Sequence, residues 1–514
     1  MNKLANYLEG RWQAGRGEGA VLSDPVLGTP LASVNADGID LAAAYGFARA
    51  EGGAALRRLS YAERAGLLAQ IAQLLQAHRD KYYDISLQNS GTVKNDTAVD
   101  VDGAIYTLSY YAKLGARLEG GALLPDGKAD SLARDNAFAS RHVLVPVRGL
   151  ALLINAFNFP AWGLWEKAAP ALLSGVPVVA KPASATAWLT HEMVKDVIEA
   201  GILPPGALNL VCGRPEGLLD ALDGLDVVSF TGSADTAASL RQHPRFLHDG
   251  VRLNAETDSV NCAILDPGGQ AIDLLVREVV REMTIKSGQK CTAIRRIFVP
   301  EASYDAVAQA LRGKLAGITV GDPRNPDVRM GSLVSRSQQK AVRQGIEQLA
   351  GQCDVLFDGR SQTDMLVEGD QHACVAPMLF GVRDPDSHPL VHHTEVFGPV
   401  ATLMPYRDIE HAYALARRGM GSLVASVYGE DPDFLAQAAC RLAESHGRVH
   451  IVNSEAAKVQ TGHGNAMPQS NHGGPGRAGG GQELGGLRAL QFYHRLAAVQ
   501  AAPGVLARLA PDAG

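Results

Sequence analysis

The stretch RHVLVPVRGLALLINAFNFPAWGLWEKAAPALLSGVPVVAKPAS, residues 141–184, decides the fold. Its apolar runs at 142–147, 152–154 and 178–180 are short and rich in valine and leucine, which is typical of strands. Between them, residues 160–172 form a longer apolar run that has the length of a helix. Strands that alternate with helices predict a parallel sheet covered by helices on both faces, so the predicted fold class is α/β.

The alternation continues in both directions from this stretch. Upstream, the helical spacing of apolar residues over 39–114 predicts a layer of helices. Downstream, a second α/β region is predicted from residue 267 to about residue 452. The glycine-rich segment 462–486 fits either a linker or an ordered loop that leads to a terminal strand near 490–498. The remaining predicted elements are strands at 208–211, 227–230 and 296–299 and helices at 189–199, 218–222, 274–283 and 304–315.

Length and composition exclude several classes of protein. The chain has 514 residues, and at about 150 residues per domain roughly three structural units are expected. A hydrophobic content of 46% and a charged content of 20% suit large buried cores and exclude a disordered chain. The net charge of -6 argues against nucleic acid as a partner, because phosphate binding needs a basic surface.

Cysteine usage and hydropathy indicate the compartment. Six cysteines without a short regular spacing disfavour disulfides and zinc sites. No apolar run has the roughly 18 to 20 residues that a membrane span needs, and the first residues lack the apolar core of a signal peptide. A cytoplasmic protein without a membrane partner is expected.

A cysteine and a glutamate are the first chemical signal. Cys291 lies in the run SGQKCT, residues 287–292, and Glu256 ends the run NAE. A thiolate attacks a carbonyl carbon, and a nearby carboxylate deprotonates the water that later clears the adduct. Taken alone, Cys291 fits an inert buried thiol, because a free thiol has a pKa of about 8.5, and Glu256 fits a surface carboxylate. The pair therefore needs support from other motifs.

Five short runs supply that support: FNFP at 157–160, KP at 181–182, FTGS at 230–233, GQKC at 288–291 and EVFGP at 395–399. Together they resemble the aldehyde dehydrogenase superfamily across most of the chain. Their order and spacing are those of the family. The resemblance implies that Cys291 is the nucleophile, that Glu256 is the water base, and that the Asn158 side chain and the Cys291 backbone N–H hold the oxyanion.

The resemblance also implies an aldehyde dehydrogenase fold, with a Rossmann-like cofactor domain, a catalytic α/β domain and a small β oligomerisation element. The expected cofactor domain comprises residues 1–128 and 148–266, and the catalytic domain comprises 267–465. The oligomerisation element is expected at 129–147 and 486–500, from a hairpin and the terminal strand. A homodimer or a multiple of a dimer is implied.

Lys181 and Ser184 indicate which nicotinamide cofactor is used. In NAD-preferring members of the family, a glutamate three residues after the lysine bonds the ribose hydroxyls, and its charge repels a 2′-phosphate. Ser184 removes that repulsion and donates a hydrogen bond, which predicts NADP, with Lys181 and Ser184 at the ribose phosphate. Arg214 is a further possible phosphate contact, although a surface charge is the favoured interpretation.

A strand, a turn and a helix are predicted around Thr231, Gly232 and Ser233. Ala237 stands where a second glycine is usual, so this turn lacks the GxGxxG pattern. Backbone N–H groups at the start of the helix would still face a pyrophosphate. We therefore expect Thr231, Gly232 and Ser233 to bind the cofactor.

Glu395 and Phe397 complete the expected cofactor site. By resemblance, Glu395 accepts hydrogen bonds from the nicotinamide ribose and Phe397 backs the ring. His392 and His393 precede them, but no acidic or cysteine partner has a ligand spacing, so solvated histidines and no metal site are predicted.

Two segments depart from the usual pattern of the superfamily. They are TDS at 257–259 and PQSNHGGPGRAGGG at 468–481, and both resemble a narrower branch that oxidises CoA-linked semialdehydes in aromatic catabolism. The implied reaction converts such a substrate, 3,4-dehydroadipyl-CoA semialdehyde in the benzoate pathway, to the acid through a cysteine thioester. Asp258 is an alternative base, but neighbouring carboxylates raise one another's pKa and one is sufficient, so Glu256 is retained.

Other functions stay open. A general aldehyde dehydrogenase would act on simpler aldehydes, and a CoA-acylating one would need no water base. A silent protein with this fold would not need Cys291, Asn158 and Glu395 together. A cysteine hydrolase would need a histidine, and none is near Cys291 in sequence, although a spatial neighbour is not excluded.

Overall fold

A computed structural model describes residues 2–118 and 121–509 of the chain. The protein alternates strands and helices over most of its length. The strands within the described residues are β1 (Asn2–Leu4), β2 (Asn6–Leu8), β3 (Arg11–Gln13), β4 (Ala20–Ser23), β5 (Pro30–Val34), β6 (Leu124–Ser131), β7 (Ala139–Pro146), β8 (Ala151–Ile154), β9 (Val178–Lys181), β10 (Leu208–Leu210), β11 (Val227–Thr231), β12 (Arg252–Glu256), β13 (Cys262–Leu265), β14 (Arg296–Pro300), β15 (Val320–Gly321), β16 (Asp354–Asp358), β17 (Met365–Leu366), β18 (Met378–Gly381), β19 (Val400–Tyr406), β20 (Ser422–Tyr428), β21 (His446–Val452), β22 (Asn471–Gly473), β23 (Gln482–Leu484) and β24 (His494–Ala501).

Helices separate and follow these strands. The helical layer predicted near the amino terminus is confirmed by the first five. The α-helices of the described residues are α1 (Leu41–Phe47), α2 (Ala54–Arg58), α3 (Tyr61–Ala77), α4 (Arg79–Ser90), α5 (Lys94–Gly115), α6 (Trp162–Leu173), α7 (Ala187–Glu199), α8 (Ala234–Arg241), α9 (Pro244–Leu247), α10 (Ile272–Thr284), α11 (Tyr304–Leu315), α12 (Arg336–Ala350), α13 (Gly359–Gln362), α14 (Leu390–His393), α15 (Ile409–Arg417), α16 (Pro432–Ala443), α17 (Arg488–Phe492) and α18 (Pro503–Leu509).

The first seven-stranded sheet has the order β12-β11-β8-β9-β10-β2-β3. Its strands from β12 to β10 are parallel, and β2 and β3 extend the edge in antiparallel pairing. Alternate residues of β8 enter different cores, because Leu153 packs in the cluster with Leu108 of α5, whereas Leu152 packs in the cluster with Tyr45 of α1. Helices therefore cover both faces, as the stretch 141–184 predicts.

The second seven-stranded sheet has the order β16-β18-β19-β14-β13-β20-β21. All its pairs are parallel except the edge pair of β16 and β18. Its two faces form separate hydrophobic cores. The strand β13 belongs to this sheet, although the sequence-based boundary at 266/267 assigns its residues to the cofactor domain; that domain division stays a prediction.

A third sheet is antiparallel and contains β24, β7 and β6 in that order. The terminal strand begins at His494 and not near residue 490, because α17 occupies Arg488–Phe492. Leu490 of this helix is buried in the core of the first sheet. A short apolar run such as this one does not distinguish a helix from a strand by its periodicity.

The helix predicted at 218–222 is wrong, because the structure has turns there. The carbonyl oxygen of Leu218 accepts a hydrogen bond from the Tyr45 hydroxyl at 2.9 Å, and that of Ala221 accepts one from Arg49 at 2.9 Å. Side chains distant in sequence thus satisfy carbonyl groups that a helix would bond internally. No helix in residues 2–118 and 121–509 is long and apolar enough to cross a membrane.

Candidate active site

Three chain segments bring the predicted catalytic residues together. Asn158 follows β8, Glu256 is the last residue of β12, and Cys291 lies in the loop between α10 and β14. The strands β8 and β12 are in one parallel sheet, so their carboxyl ends lie at the same edge. Asn158, Glu256 and Cys291 line one narrow space, and larger cavities adjoin Cys291 on either side.

The loop before Cys291 has an unusual backbone. Lys286 and Ser287 have φ values of 51° and 54°, which non-glycine residues rarely adopt. At Gly288, φ is 70° and an added Cβ would lie 2.2 Å from the Gly398 carbonyl oxygen. The Asp96 carboxylate accepts a hydrogen bond from the Lys286 N–H at 2.8 Å. This conformation presents the thiol at the junction of the cavities, at a strain of about 1 to 3 kcal/mol per residue.

Two buried aspartates of α5 hold the site together from behind. Asp96 anchors the loop 285–290 that precedes the candidate nucleophile Cys291, which we call the nucleophile loop. Burial raises the pKa of the Asp96 carboxyl to about 7. Asp100 accepts hydrogen bonds from the N–H groups of Ala161 at 3.2 Å and Trp162 at 2.7 Å, at the start of α6. Its other oxygen is 3.9 Å from the Lys286 Nζ. Helix α5 therefore links the segment after Asn158 to the nucleophile loop.

Asn158 lies beside the nucleophile loop. Its Nδ2 donates a hydrogen bond to the Gln289 carbonyl oxygen at 3.1 Å, and the residue is 9% exposed. That is the one bond found for this nitrogen among the described residues, and an amide nitrogen carries two N–H groups. The second N–H is therefore available to a further acceptor.

Glu256 and Cys291 influence each other's protonation. Burial alone would raise the pKa of Glu256, but His472, Lys167 and the Cys291 thiol outweigh it and lower that pKa to about 2. Burial and the Glu256 charge raise the pKa of Cys291 well above its usual value. The resting pair is therefore a neutral thiol beside a carboxylate.

A buried ionic cluster lies behind Glu256. Lys167 contacts Glu166 and lies 2.8 Å from Glu483, and the carboxylates of Glu166, Glu256 and Glu483 are within 4.8 Å of one another. Burial acts to lower the pKa of Lys167, but Glu166 and Glu483 outweigh it and raise that pKa. The Lys167 ammonium thus balances the carboxylates.

His472 was missed by sequence reasoning. Its Nε2 is 2.9 Å from Glu256 Oε2, and both side chains are almost fully buried. Its ring also lies edge to face against Trp162, at a centroid distance of 5.4 Å. The departure of 468–481 from the superfamily pattern was the available signal, but a histidine so far from Cys291 in sequence has no spacing that reveals its contact.

The prediction of solvated histidines is wrong for His392, which is fully buried. Its Nδ1 is 3.2 Å from the Arg296 guanidinium, which donates to it, and its Nε2 is 3.1 Å from the Pro385 carbonyl oxygen. Burial and the Arg296 charge lower the pKa of His392 to about 3. His393 is exposed, as expected. The packing of His392 against Arg296 in the core explains why His392 is buried although His393 is exposed. The sequence does not show this packing.

The cavity on one side of Cys291 contains most of the predicted cofactor residues. It has a volume of about 380 Å³ and is lined by Thr231, Gly232, Ser233, Glu395 and Phe397. Such a volume suits part of a small-molecule ligand. It also contains Asp258 and Arg477, which sequence reasoning did not assign to a cofactor.

The start of α8 is already capped. The Ser233 hydroxyl accepts a hydrogen bond from the Thr236 N–H, and Asp258 accepts one from the Ala234 N–H at 3.1 Å. The Arg477 guanidinium lies 3.8 Å from Asp258. Asp258 thus contacts a helix start and an arginine, which does not support it as the water base.

Glu395 and Phe397 have specific neighbours. The Ser259 N–H donates to Glu395 at 3.1 Å, and burial raises the pKa of Glu395 to about 7 against the lowering effect of Arg295. The Phe397 ring lies edge to face against Phe157 at 5.8 Å. Glu395 therefore titrates near neutral pH. The Phe397 ring packs against Phe157 and lines the cavity.

Lys181 and Ser184 lie at the end of β9 and just after it, next to the cavity residue Ala183. Burial and the charge of Arg214 lower the pKa of Lys181. Arg214 is exposed but close enough for its charge to act on Lys181. The Arg214 charge thus acts on Lys181, three residues before Ser184 in the chain.

The chain is similar to known proteins over most of its length. The family model described as "Aldehyde dehydrogenase family" matches residues 12–499. The chain is 54% identical over 478 residues to the 3,4-dehydroadipyl-CoA semialdehyde dehydrogenase of Aromatoleum evansii, covering 92% of this chain and 93% of that protein. It is 28% identical to the betaine aldehyde dehydrogenase of Vibrio vulnificus (strain CMCP6), covering 96% of each. The NAD+ complex of aldehyde dehydrogenase from Bacillus cereus is similar in fold, with a TM-score of 0.84, 23% identity and coverage of 98% and 97%.

Proposed function

The chain belongs to the aldehyde dehydrogenase family, and on that premise we propose that it oxidises a CoA-linked semialdehyde to the carboxylic acid with NADP. The observation that carries the reaction type is the meeting of Asn158, Glu256 and Cys291 between two cavities. The substrate proposed is 3,4-dehydroadipyl-CoA semialdehyde, which the similar protein of Aromatoleum evansii is named for.

Cys291 begins the reaction by addition to the aldehyde. Its thiol loses a proton, and Sγ forms a bond to the carbonyl carbon, which leaves a negative charge on the carbonyl oxygen. The Nδ2–H of Asn158 and the backbone N–H of Cys291 would stabilise this oxyanion. The thiol proton leaves to solvent through the cavities that adjoin Cys291, so Glu256 is still a carboxylate when hydrolysis begins.

The residues of the second cavity fit a nicotinamide cofactor, which supplies the hydride acceptor when bound. Thr231 Oγ1 and Glu395 Oε1 are buried and have no hydrogen-bond partner among the described residues, so both can receive ribose or phosphate groups. Phe397 and Phe157 form an aromatic wall beside them. Because Asp258 occupies the start of α8, Arg477 is a better candidate for a phosphate contact than the helix terminus alone.

NADP is proposed over NAD on the charges around Ser184. Lys181 lies three residues before Ser184 and is close enough to Arg214 for the two charges to interact, and a serine carries no charge that repels a 2′-phosphate. The hydroxyl of Ser184 adds a hydrogen-bond donor. Discrimination would come from attraction by the cations and from the absence of a carboxylate.

Glu256 completes the cycle by hydrolysis. Once hydride has left, the acyl group is a thioester on Cys291, and Glu256 removes a proton from the water that attacks it. The carboxylate state that its low pKa implies is the state a base requires. A buried base beside the thiol favours release of free acid over transfer to CoA.

The aldehyde would enter through the other cavity, of about 290 Å³. Its walls include Tyr106, Phe159, Trp162 and Met467, which are apolar surfaces suited to an unsaturated carbon chain. Tyr106 is 45% exposed and marks the outer end. The CoA part of the substrate would remain outside this opening.

The third sheet is proposed as the contact between subunits of a homodimer or a multiple of one. Leu132, Phe138 and Leu496 lie on or beside β6, β7 and β24 and are between 44% and 58% exposed. Exposed apolar side chains clustered on one sheet are typical of an interface.

One assay panel tests the proposal. The purified protein is supplied with NADP or NAD and with either simple aldehydes or CoA-linked semialdehydes. We expect the highest kcat/KM with NADP and a CoA-linked semialdehyde, and formation of free acid without added CoA. A requirement for added CoA would indicate an acylating enzyme, and equal kcat/KM for both cofactors would refute the proposed role of Ser184.

A further inference from the structure

We propose that His472 is a positioning residue for the base, which holds Glu256 in place beside Cys291 for hydrolysis of the acyl enzyme. The inference rests on the proposed function of Glu256 as the water base. It assigns a role to the glycine-rich segment that distinguishes this chain from the usual superfamily pattern.

The geometry places His472 directly on the base. Its Nε2 lies 2.9 Å from Glu256 Oε2, outside hydrogen-bond angles but within ion-pair distance. One ligand-type atom from each of His472, Glu256 and Cys291 lies within 4.8 Å of the other two. With one oxygen in contact with a buried imidazole nitrogen, the Glu256 carboxylate has little room to rotate away from the thiol.

His472 is itself held firmly. It belongs to β22, and its register partner in β23 is Glu483, which is 2.8 Å from Lys167. The Trp162 ring packs edge to face on the other side of the imidazole. His472 is 2% exposed, so the ring cannot move without displacing these neighbours.

The glycines of the segment allow this placement. Cβ atoms added at Gly479 and Gly481 would lie 2.2 Å and 2.4 Å from the Ala255 carbonyl oxygen, in the strand that ends at Glu256. The Gly481 N–H donates to that same oxygen at 3.0 Å, and the Thr257 N–H donates to the Ala478 oxygen at 3.0 Å. The segment is therefore pressed against β12 on both sides of Glu256, and only glycine permits such close contact.

The surrounding charges explain why Glu256 needs this partner. Glu166 and Glu483 lie behind it with Lys167, which both of them already engage, and Cys291 lies in front. Other charged groups lie along the cofactor cavity and are not in contact with the Glu256 carboxylate. They are Glu395 with its neighbour Arg295, and Asp258 with its neighbour Arg477. Lys167 is thus shared among the described carboxylates, and the His472 ring nitrogen is the group in direct contact with the Glu256 carboxylate.

The experiment separates positioning from folding. His472→Phe keeps an aromatic ring against Trp162 and removes the N–H, whereas His472→Gln retains an N–H donor. Stopped-flow single turnovers of the full-length protein with cofactor report hydride transfer, and rapid quenching reports free acid. His248→Phe, at an exposed histidine, is the matched control.

For His472→Phe we expect hydride transfer within about threefold of the wild type, and acid release slowed by about tenfold or more. The pH profile adds an independent readout. Because His472 lowers the pKa of Glu256, its removal raises that pKa, and kcat should fall at acidic pH where the wild type is still active. His472→Gln should restore most of the acid release.

Three results would overturn the inference. The first is a His472→Phe variant with wild-type acid release and pH profile. The second is equal loss of both steps, and the third is failure of His472→Gln to restore acid release although it unfolds at the wild-type temperature. Glu256→Gln distinguishes the two proposals: if it hydrolyses the acyl enzyme normally, the assignment of the base is wrong, whatever His472 does.

Discussion

Replacement of Asp100 by alanine tests how α5 supports the site. Asp100 is fully buried, accepts hydrogen bonds from two backbone N–H groups at the start of α6, and faces Lys286. Alanine leaves the N–H groups of Ala161 and Trp162 without this acceptor, at about 1 to 3 kcal/mol each, and weakens the charge balance of Lys286. Water that enters the vacated space would accept hydrogen bonds from some of these N–H groups and so reduce the total cost. We therefore expect the free energy of unfolding to fall by about 3 kcal/mol.

The loss translates into a measurable shift in Tm. An unfolding entropy of about 2.1 cal/mol/K per residue corresponds to roughly 1.1 kcal/mol/K if the whole chain unfolds together. A loss of 3 kcal/mol then lowers Tm by about 3 °C, and by about 6 °C if a unit of half that size unfolds alone. Thermal unfolding followed by circular dichroism, at several scan rates, measures the shift.

A matched control comes from the same helix. Asp102 forms an ion pair with Arg79 at 2.6 Å, but its side chain is 40% exposed. Solvent screening limits such a pair to about 0 to 1 kcal/mol, so Asp102→Ala should lower Tm by about 1 °C or less. If Asp100→Ala shifts Tm no more than Asp102→Ala, and hydride transfer keeps its wild-type rate, the proposed link through α5 is refuted.

Three further predictions concern the two cavities. Ser184→Glu should lower kcat/KM for NADP by at least about tenfold, because the new carboxylate repels the 2′-phosphate, and should leave kcat/KM for NAD within about threefold. Steady-state kinetics with both cofactors measure this. An unchanged ratio of kcat/KM for NADP to kcat/KM for NAD would contradict the prediction. Burial raises the pKa of Glu395 to about 7, so its carboxylate forms as the pH rises through 7. The Kd of the cofactor, measured by fluorescence, should therefore fall over that pH range. In Glu395→Gln the Kd should no longer depend on pH there. Zn2+ should inhibit the enzyme reversibly, because the Cys291 thiolate, the Glu256 carboxylate and the His472 imidazole can bind one ion together. His472→Phe should raise the inhibition constant for Zn2+ about tenfold. An unchanged inhibition constant would show that the ion binds elsewhere.

Local patterns were sufficient for the architecture and for part of the site. The alternation in 141–184 predicts the first parallel sheet because hydrophobic periodicity and turn residues act over short distances. The run GQKC makes Cys291 a candidate nucleophile in the same way, since the motif is local in sequence. The failure at 218–222 shows the limit, because Tyr45 and Arg49 bind the carbonyl groups there from far away in sequence.

The sequence by itself thus determined the α/β class, the family, and the candidacy of Asn158, Glu256 and Cys291. Tertiary structure alone decided which groups surround them: Asp100 behind the nucleophile loop, Asp258 at the start of α8, and His472 against Glu256. The physical reason is that ion pairs and burial depend on distances in space, whereas periodicity and motifs depend on distances along the chain. A glycine-rich segment in particular has no periodicity of its own, so its path, and the histidine it carries to Glu256, follow only from the backbone against which it packs.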